Sequence, residues 1–169
     1  GGMAIRLSTA PLAAAVANEG GIGLIAASGM GLDELRKEIR MARELTGGKG
    51  IIGINAMVAA RQFLDLITTA AEEGIDLIVA GAGFSRDIFA VGKKYGVEVV
   101  PIVSSARLAQ TAEKLGASAV VVEGTEAGGH LGTQQSIKEI LPEVIEAVNI
   151  PVIAAGGAVD GNDVADLLK

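Results

Sequence analysis

The 169-residue chain has no cysteine and no tryptophan, and its aromatics amount to only 2% of residues. Without cysteine there are no disulfides, no thiolate nucleophile and no Cys-ligated zinc or iron–sulfur site. Positive charge is scarce too: 14 Lys+Arg stand against 20 Asp+Glu, a net charge of −6. A nucleic-acid surface needs a basic face and stacking rings, so that class of partner is disfavoured. Half of the residues are hydrophobic, yet no uncharged run reaches the roughly 18 apolar residues of a membrane span. No secretory signal pattern is visible. The expectation is a cytoplasmic protein of one domain, residues 1–169, since this length fits the usual range of about 100–200 residues.

What is abundant is glycine. The 24 glycines do not form one low-complexity tract but recur at the ends of short β-branched runs. Apolar runs that read as buried strands begin near Ile22, Ile51, Leu77, Glu98, Ala119 and Val152. Amphipathic stretches lie between them. The clearest is Leu32 to Leu45, with Leu32, Leu35, Ile39, Ala42 and Leu45 on one stripe and Lys37, Arg40 and Glu44 off it. The pattern repeats over Phe63–Glu73, Arg86–Tyr95, Arg107–Leu115 and Ile137–Val148, and Gly74, Gly96 and Gly116 stand where C-cap glycines belong. Strand and helix in alternation predict right-handed βαβ crossovers and a parallel sheet covered by helices.

Such a sheet is either doubly wound or part of a barrel. A dinucleotide site wants G-x-G-x-x-G after a strand and an acidic residue ending the next one. Gly81-Ala82-Gly83 follows a strand, but Arg86 holds the third glycine position, and the next strand ends in Ser104-Ser105. That fingerprint is absent. The strand ends instead read Ser28-Gly29, Asn55, Gly81-Ala82-Gly83, Ser104-Ser105, Glu123-Gly124-Thr125 and Gly156-Gly157. In a parallel βα array these ends share one rim, where barrel enzymes build their sites. The bland alternative is that each glycine only turns the chain, and Gly29 and Gly83 fit it best.

Two segments ask for more. Ile150 to Gly157 ends a buried strand in two glycines before a helix that starts near Asp160. Bare backbone N–H groups at a helix start can cradle a phosphate. Val122 to Gly132 is a loop with four glycines around His130, the sole histidine of the chain. Its ring titrates near neutrality and can accept or deliver a proton.

At this loop a resemblance becomes specific. Glu-Gly-Thr-Glu-Ala-Gly-Gly-His-Leu-Gly at 123–132 resembles the E/Q-G-x-E-A-G-G-H-x-G signature of the nitronate monooxygenases, formerly 2-nitropropane dioxygenases. That family includes the FMN-dependent enoyl-acyl-carrier-protein reductases. The likeness extends through Gly1 to Ala4, Ala14 to Gly23, Gly53-Ile54-Asn55, Pro101 to Ser105, and Ile150 to Gly157 with Asp160-Gly161.

The resemblance implies a TIM-type (β/α)8 barrel with FMN at its carboxyl rim, here an incomplete barrel lacking the first and last strands and part of a longer chain, since a full barrel takes about 250 residues. It implies that Gly2 and Met3 lie beside the flavin ring and that Asn55 hydrogen-bonds it. Glu123, Gly128 and Gly129 would line the cofactor, Gly156 and Gly157 would cradle its phosphate, and His130 would be the catalytic base or acid. No metal is implied. The implied reaction is oxidation of an alkyl nitronate with O₂ to a carbonyl compound and nitrite. The alternative is an NAD(P)H-dependent reduction of an enoyl thioester on acyl carrier protein, which Glu123 and Leu131 favour. Readings of another class are a non-catalytic barrel fragment or a flavin-free phosphate-binding barrel. A small-molecule substrate and a homodimer are expected, with neither nucleic acid nor membrane as partner.

Overall fold

Ile22 lies opposite Ile51 and Ala26 opposite Asn55, which puts strands β1 (Ile22–Ala26) and β2 (Ile51–Met57) in parallel register. β3 (Leu77–Gly81) continues the ladder, with Gly53 opposite Leu77 and Met57 opposite Gly81. All of β3 and the five central residues of β2 are buried, as expected for parallel strands covered on both faces. These registers come from a computed structural model that describes residues 2–129 and 132–168.

The chain forms two compact units, Gly1–Val99 and Val100–Lys169. In the first, α1 (Ala10–Asn18), α2 (Leu32–Leu45), α3 (Phe63–Glu72) and α4 (Arg86–Tyr95) accompany the three strands. The spans of α2 and α4 are those read from the apolar stripes, and α3 stops one residue earlier, at Glu72. Only α1 has no counterpart in the periodicity. Its buried positions Ala10, Ala13, Ala14 and Ala17 follow helical spacing, but Leu12 and Val16 face outward, so apolar and polar sides do not contrast. α1 packs on β1 at backbone distance: a Cβ at Gly23 would strike the carbonyl oxygen of Ala13.

The boundary between the units falls inside β4 (Glu98–Val103). The second unit pairs Val103 with Val122 of β5 (Val120–Glu123), and Val120 and Glu123 with Val152 and Ala155 of β6 (Val152–Ala155), again in parallel. Its helices are α5 (Ala106–Leu115), α6 (Ile137–Ala147) and α7 (Gly161–Leu167). Gly96 and Gly116 close α4 and α5 in the left-handed conformation, φ 69° and 100°, as the sequence predicts. No residue of β6 or α7 is fully buried.

In each unit the strand order follows chain order, with a helix after every strand. This is the repeat of a TIM-type α/β barrel, of which the described residues hold six strands where a full barrel has eight. Because the pairings within each unit are parallel, the carboxyl ends of its strands lie on one side, where Asn55 stands in the first unit and Glu123, Gly156 and Gly157 in the second.

Candidate active site

In the first unit the site is built on the end of β2. Asn55 is buried, and its Nδ2 donates to Sδ of Met3 at 3.3 Å while Oδ1 is buried with no partner among the described residues. Its backbone carbonyl is spoken for by the N–H of Ala27 at 2.9 Å. Gly2 lies against this residue: a Cβ there would stand 3.0 Å from Cβ of Asn55 and 3.1 Å from the carbonyl of Ile25. The glycine thus lets the N-terminal segment approach the β1 and β2 ends closely. Met3 is half exposed, at 50%.

Beside these ends, Ser28 Oγ accepts from the N–H of Met57 at 2.8 Å, joining the β1 and β2 exits. A cavity of about 340 Å³ opens there, lined by Ser28, Met30, Met57, Ala60, Arg61 and Gln62 among others. Sequence reasoning singled out Ser28 only as a strand end and did not single out Arg61. A cation directly before a helix start was the available signal.

In the second unit Glu123 ends β5 and is 9% exposed. Burial raises the pKa of its carboxyl above the ordinary carboxylate value. Gly124 follows, with Thr125 N–H donating to the Gln135 carbonyl and Ala127 N–H to the Gly124 carbonyl, both at 3.0 Å. Glu126 Oε2 accepts from the N–H of Ile137 at 3.0 Å. Gly128 has no described residue within 4 Å of where a Cβ would be, and Gly129 has φ 103°. His130, the candidate base, lies outside the described residues.

The Gly156-Gly157 turn is glycine for two physical reasons. Both residues are left-handed, φ 89° and 79°. A Cβ at Gly156 would come to 2.5 Å from the nitrogen of Ala127, and one at Gly157 to 2.9 Å from Cγ2 of Ile137. The helix after the turn differs from the sequence expectation of an open anion site. Asp160 Oδ1 accepts from the N–H groups of Asn162 and Asp163, and Asp163 Oδ2 from those of Val159 and Asp160. These bonds lower both carboxyl pKa values. Two first-turn donors of α7, the N–H groups of Asn162 and Asp163, are therefore taken by the chain itself, and residues 156–158 remain the candidate phosphate cradle. A cavity of about 230 Å³ borders it, lined by Ile137, Lys138, Gly156, Gly157, Ala158 and Asp163 among others.

Residues 1–169, the entire chain, match the family model described as nitronate monooxygenase. The chain belongs to that family. Among curated family relatives, a protein of Rhodococcus jostii named "(3aS,4S,5R,7aS)-5-hydroxy-7a-methyl-1-oxo-octahydro-1H-indene-4-carboxyl-CoA dehydrogenase" is 34% identical over 157 residues, which is 93% of this chain and 44% of that protein. The structure of FabK from Thermotoga maritima superposes with a TM-score of 0.93 at 39% identity, covering 99% of this chain and 53% of that one. A nitroalkane oxidase from Streptomyces ansochromogenes gives a TM-score of 0.82 at 26% identity, covering 99% and 59%. The chain thus spans about half the length of the relatives it matches. These superpositions agree with a TIM-type assignment for the fold of this family member.

Proposed function

We propose that this chain carries the FMN-binding strands of a nitronate monooxygenase, an oxidoreductase that converts alkyl nitronates and O₂ to carbonyl compounds and nitrite. The observation that carries the reading is the orphaned Oδ1 of Asn55. A buried acceptor without a donor costs about 1–3 kcal/mol, and a cofactor ring N–H is the donor the family resemblance supplies. By the family resemblance Asn55, Gly2 and Met3 are the proposed ring contacts, the 156–158 turn the proposed phosphate contact, and Glu123, Gly128 and Gly129 the proposed cofactor lining.

When bound, FMN supplies the electron transfer between substrate and O₂ that no side chain of this chain can provide. The work left to the protein is binding, orientation and proton transfer. His130 is the residue proposed to take the α-proton of a neutral nitroalkane, on the strength of the sequence motif.

Acid release and chromatography of the flavin from the full-length protein tests this. FMN is the expected product. FAD, or an active protein without colour, overturns it.

A second reading is an FMN-dependent NAD(P)H enoyl-acyl-carrier-protein reductase. It is supported by the higher likeness to FabK, 39% identity against 26% for the nitroalkane oxidase. Rates of NAD(P)H oxidation with an enoyl thioester, set against O₂ uptake with a nitronate, separate the two.

A further inference from the structure

Glu126 of the glycine loop reaches out of it with its side chain. Its Oε2 accepts from the backbone N–H of Ile137, eleven positions along the chain, at 3.0 Å. Ile137 is the first residue of α6, so this N–H is one of the donors that no helical carbonyl can satisfy. The neighbouring cap does not serve it: the N–H and Oγ of the N-cap Ser136 both donate to Glu139 Oε2 at 2.9 Å. A carboxylate is also the group that the positive end of a helix favours. One position earlier, Thr125 N–H donates to the carbonyl of Gln135. Two bonds, on either side of Ser136, therefore lash residues 125–126 to the start of α6.

The same carboxylate sits over two glycine exits. A Cβ at Gly124 would strike Glu126 Oε2 and the nitrogen of Ile137, and a Cβ at Gly157 would lie 3.8 Å from Cβ of Glu126. Gly156 lies hard against Ala127, the next residue. The exit of β5 and the turn after β6 thus pack on one short segment, which the Glu126 and Thr125 bonds tie to α6. At Gly128 no described residue lies within 4 Å of where a Cβ would stand.

We propose that Glu126 is a positioning residue for the cofactor site, holding Ala127, Gly128 and Gly129 against the Gly156-Gly157 turn through its bond to Ile137. The inference rests on the FMN reading for its consequence but not for its geometry. Glu126 touches no reacting group; it acts by fixing backbone that would line the flavin and its phosphate.

The test uses the full-length protein as wild type, Glu126→Ala and Glu126→Gln. Glutamine keeps an oxygen that accepts from Ile137, so it should rescue; alanine should not. FMN titrated into each apoprotein should bind about tenfold more weakly to Glu126→Ala, the equivalent of one modest hydrogen bond, with a shifted flavin absorption spectrum. Glu126→Gln should stay near wild type in both. Hydrogen exchange of the Ile137 amide, measured without flavin, should quicken in Glu126→Ala alone. Wild-type flavin affinity and spectrum in Glu126→Ala would reduce the residue to a helix cap and overturn the proposal, as would an equal loss in both variants. If the wild type binds no FMN, the functional reading fails by itself. Unchanged Ile137 exchange in Glu126→Ala would then overturn the anchor independently. Should the alanine variant not fold, a glutamine variant with wild-type Ile137 exchange and intact flavin binding supports the anchor, and one with faster exchange sinks it.

Discussion

Asn55 donates its side-chain N–H to the sulfur of Met3 at 3.3 Å, and its buried oxygen receives no hydrogen bond from any described residue. A sulfur acceptor is weak, so this buried amide contributes little to the fold. Asn55→Ala should leave the melting temperature of the apoprotein unchanged or slightly raised, because the cost of the orphan acceptor disappears with it. Flavin occupancy should fall. Thermal melting and visible absorbance measured together check this, and a loss of both would mark Asn55 as structural.

Gly157→Asp should cost far more flavin than Gly29→Asp. The two positions have nearly the same left-handed backbone, φ 79° and 82°, so backbone strain is matched. They differ in surroundings: a Cβ at Gly29 meets only Ile5, at 3.6 Å, whereas Gly157 crowds Ile137. Gly157→Ala controls for that crowding. Aspartate adds like charge to an anion cradle, so flavin retention should fall from alanine to aspartate at 157 and stay level across Gly29→Ala and Gly29→Asp. Equal retention in all variants would place the phosphate elsewhere.

Glu123 makes stability depend on pH in a direction opposite to that of a salt-bridged acid. Burial raises its folded-state pKa above the ordinary 4.5, so the folded protein holds this proton more tightly than the unfolded one. Its contribution is full below 4.5 and is lost as pH rises through the raised value. Glu123→Gln should therefore melt higher than wild type at neutral pH, with the difference closing in acid. Melting temperatures of the two apoproteins across that range decide it; parallel curves would mean that the carboxyl is solvated.

His130→Ala should slow turnover of a neutral nitroalkane by about 10²–10⁴-fold, the usual worth of a general base. A preformed nitronate has already lost the proton and should be affected much less. Under the reductase reading, the variant keeps NAD(P)H oxidation at the flavin and loses enoyl thioester turnover. Steady-state rates on the three substrates at fixed pH distinguish these outcomes. Unchanged rates on all of them would make His130 a surface histidine.

The strands beginning at Ile22, Ile51, Leu77, Glu98 and Val152 and the helices Leu32–Leu45 and Arg86–Tyr95 were legible in the sequence. Each carries its own periodic contrast between buried and solvated faces, and Gly96 and Gly116 announce their turns through a conformation other residues resist. The family was legible as well, because the 123–132 motif needs no folding to be read. α1 was not, since an alanine stripe flanked by exposed Leu12 and Val16 shows no contrast until β1 and α2 are there to bury one side.

Composition determined that the rim would be glycine-rich, but only tertiary structure decided what each glycine makes room for. Gly23 admits a helix carbonyl, Gly156 admits Ala127, and Gly2 lies on Asn55. The same holds for the carboxylates. Asp160 and Asp163 satisfy each other's turn over a three-residue span, a local pattern, whereas Glu126 reaches Ile137 across eleven residues. A partner at that separation is not encoded in any short spacing. It exists only because α6 packs on β5 and brings its start, which has a donor to spare, to a loop carboxylate.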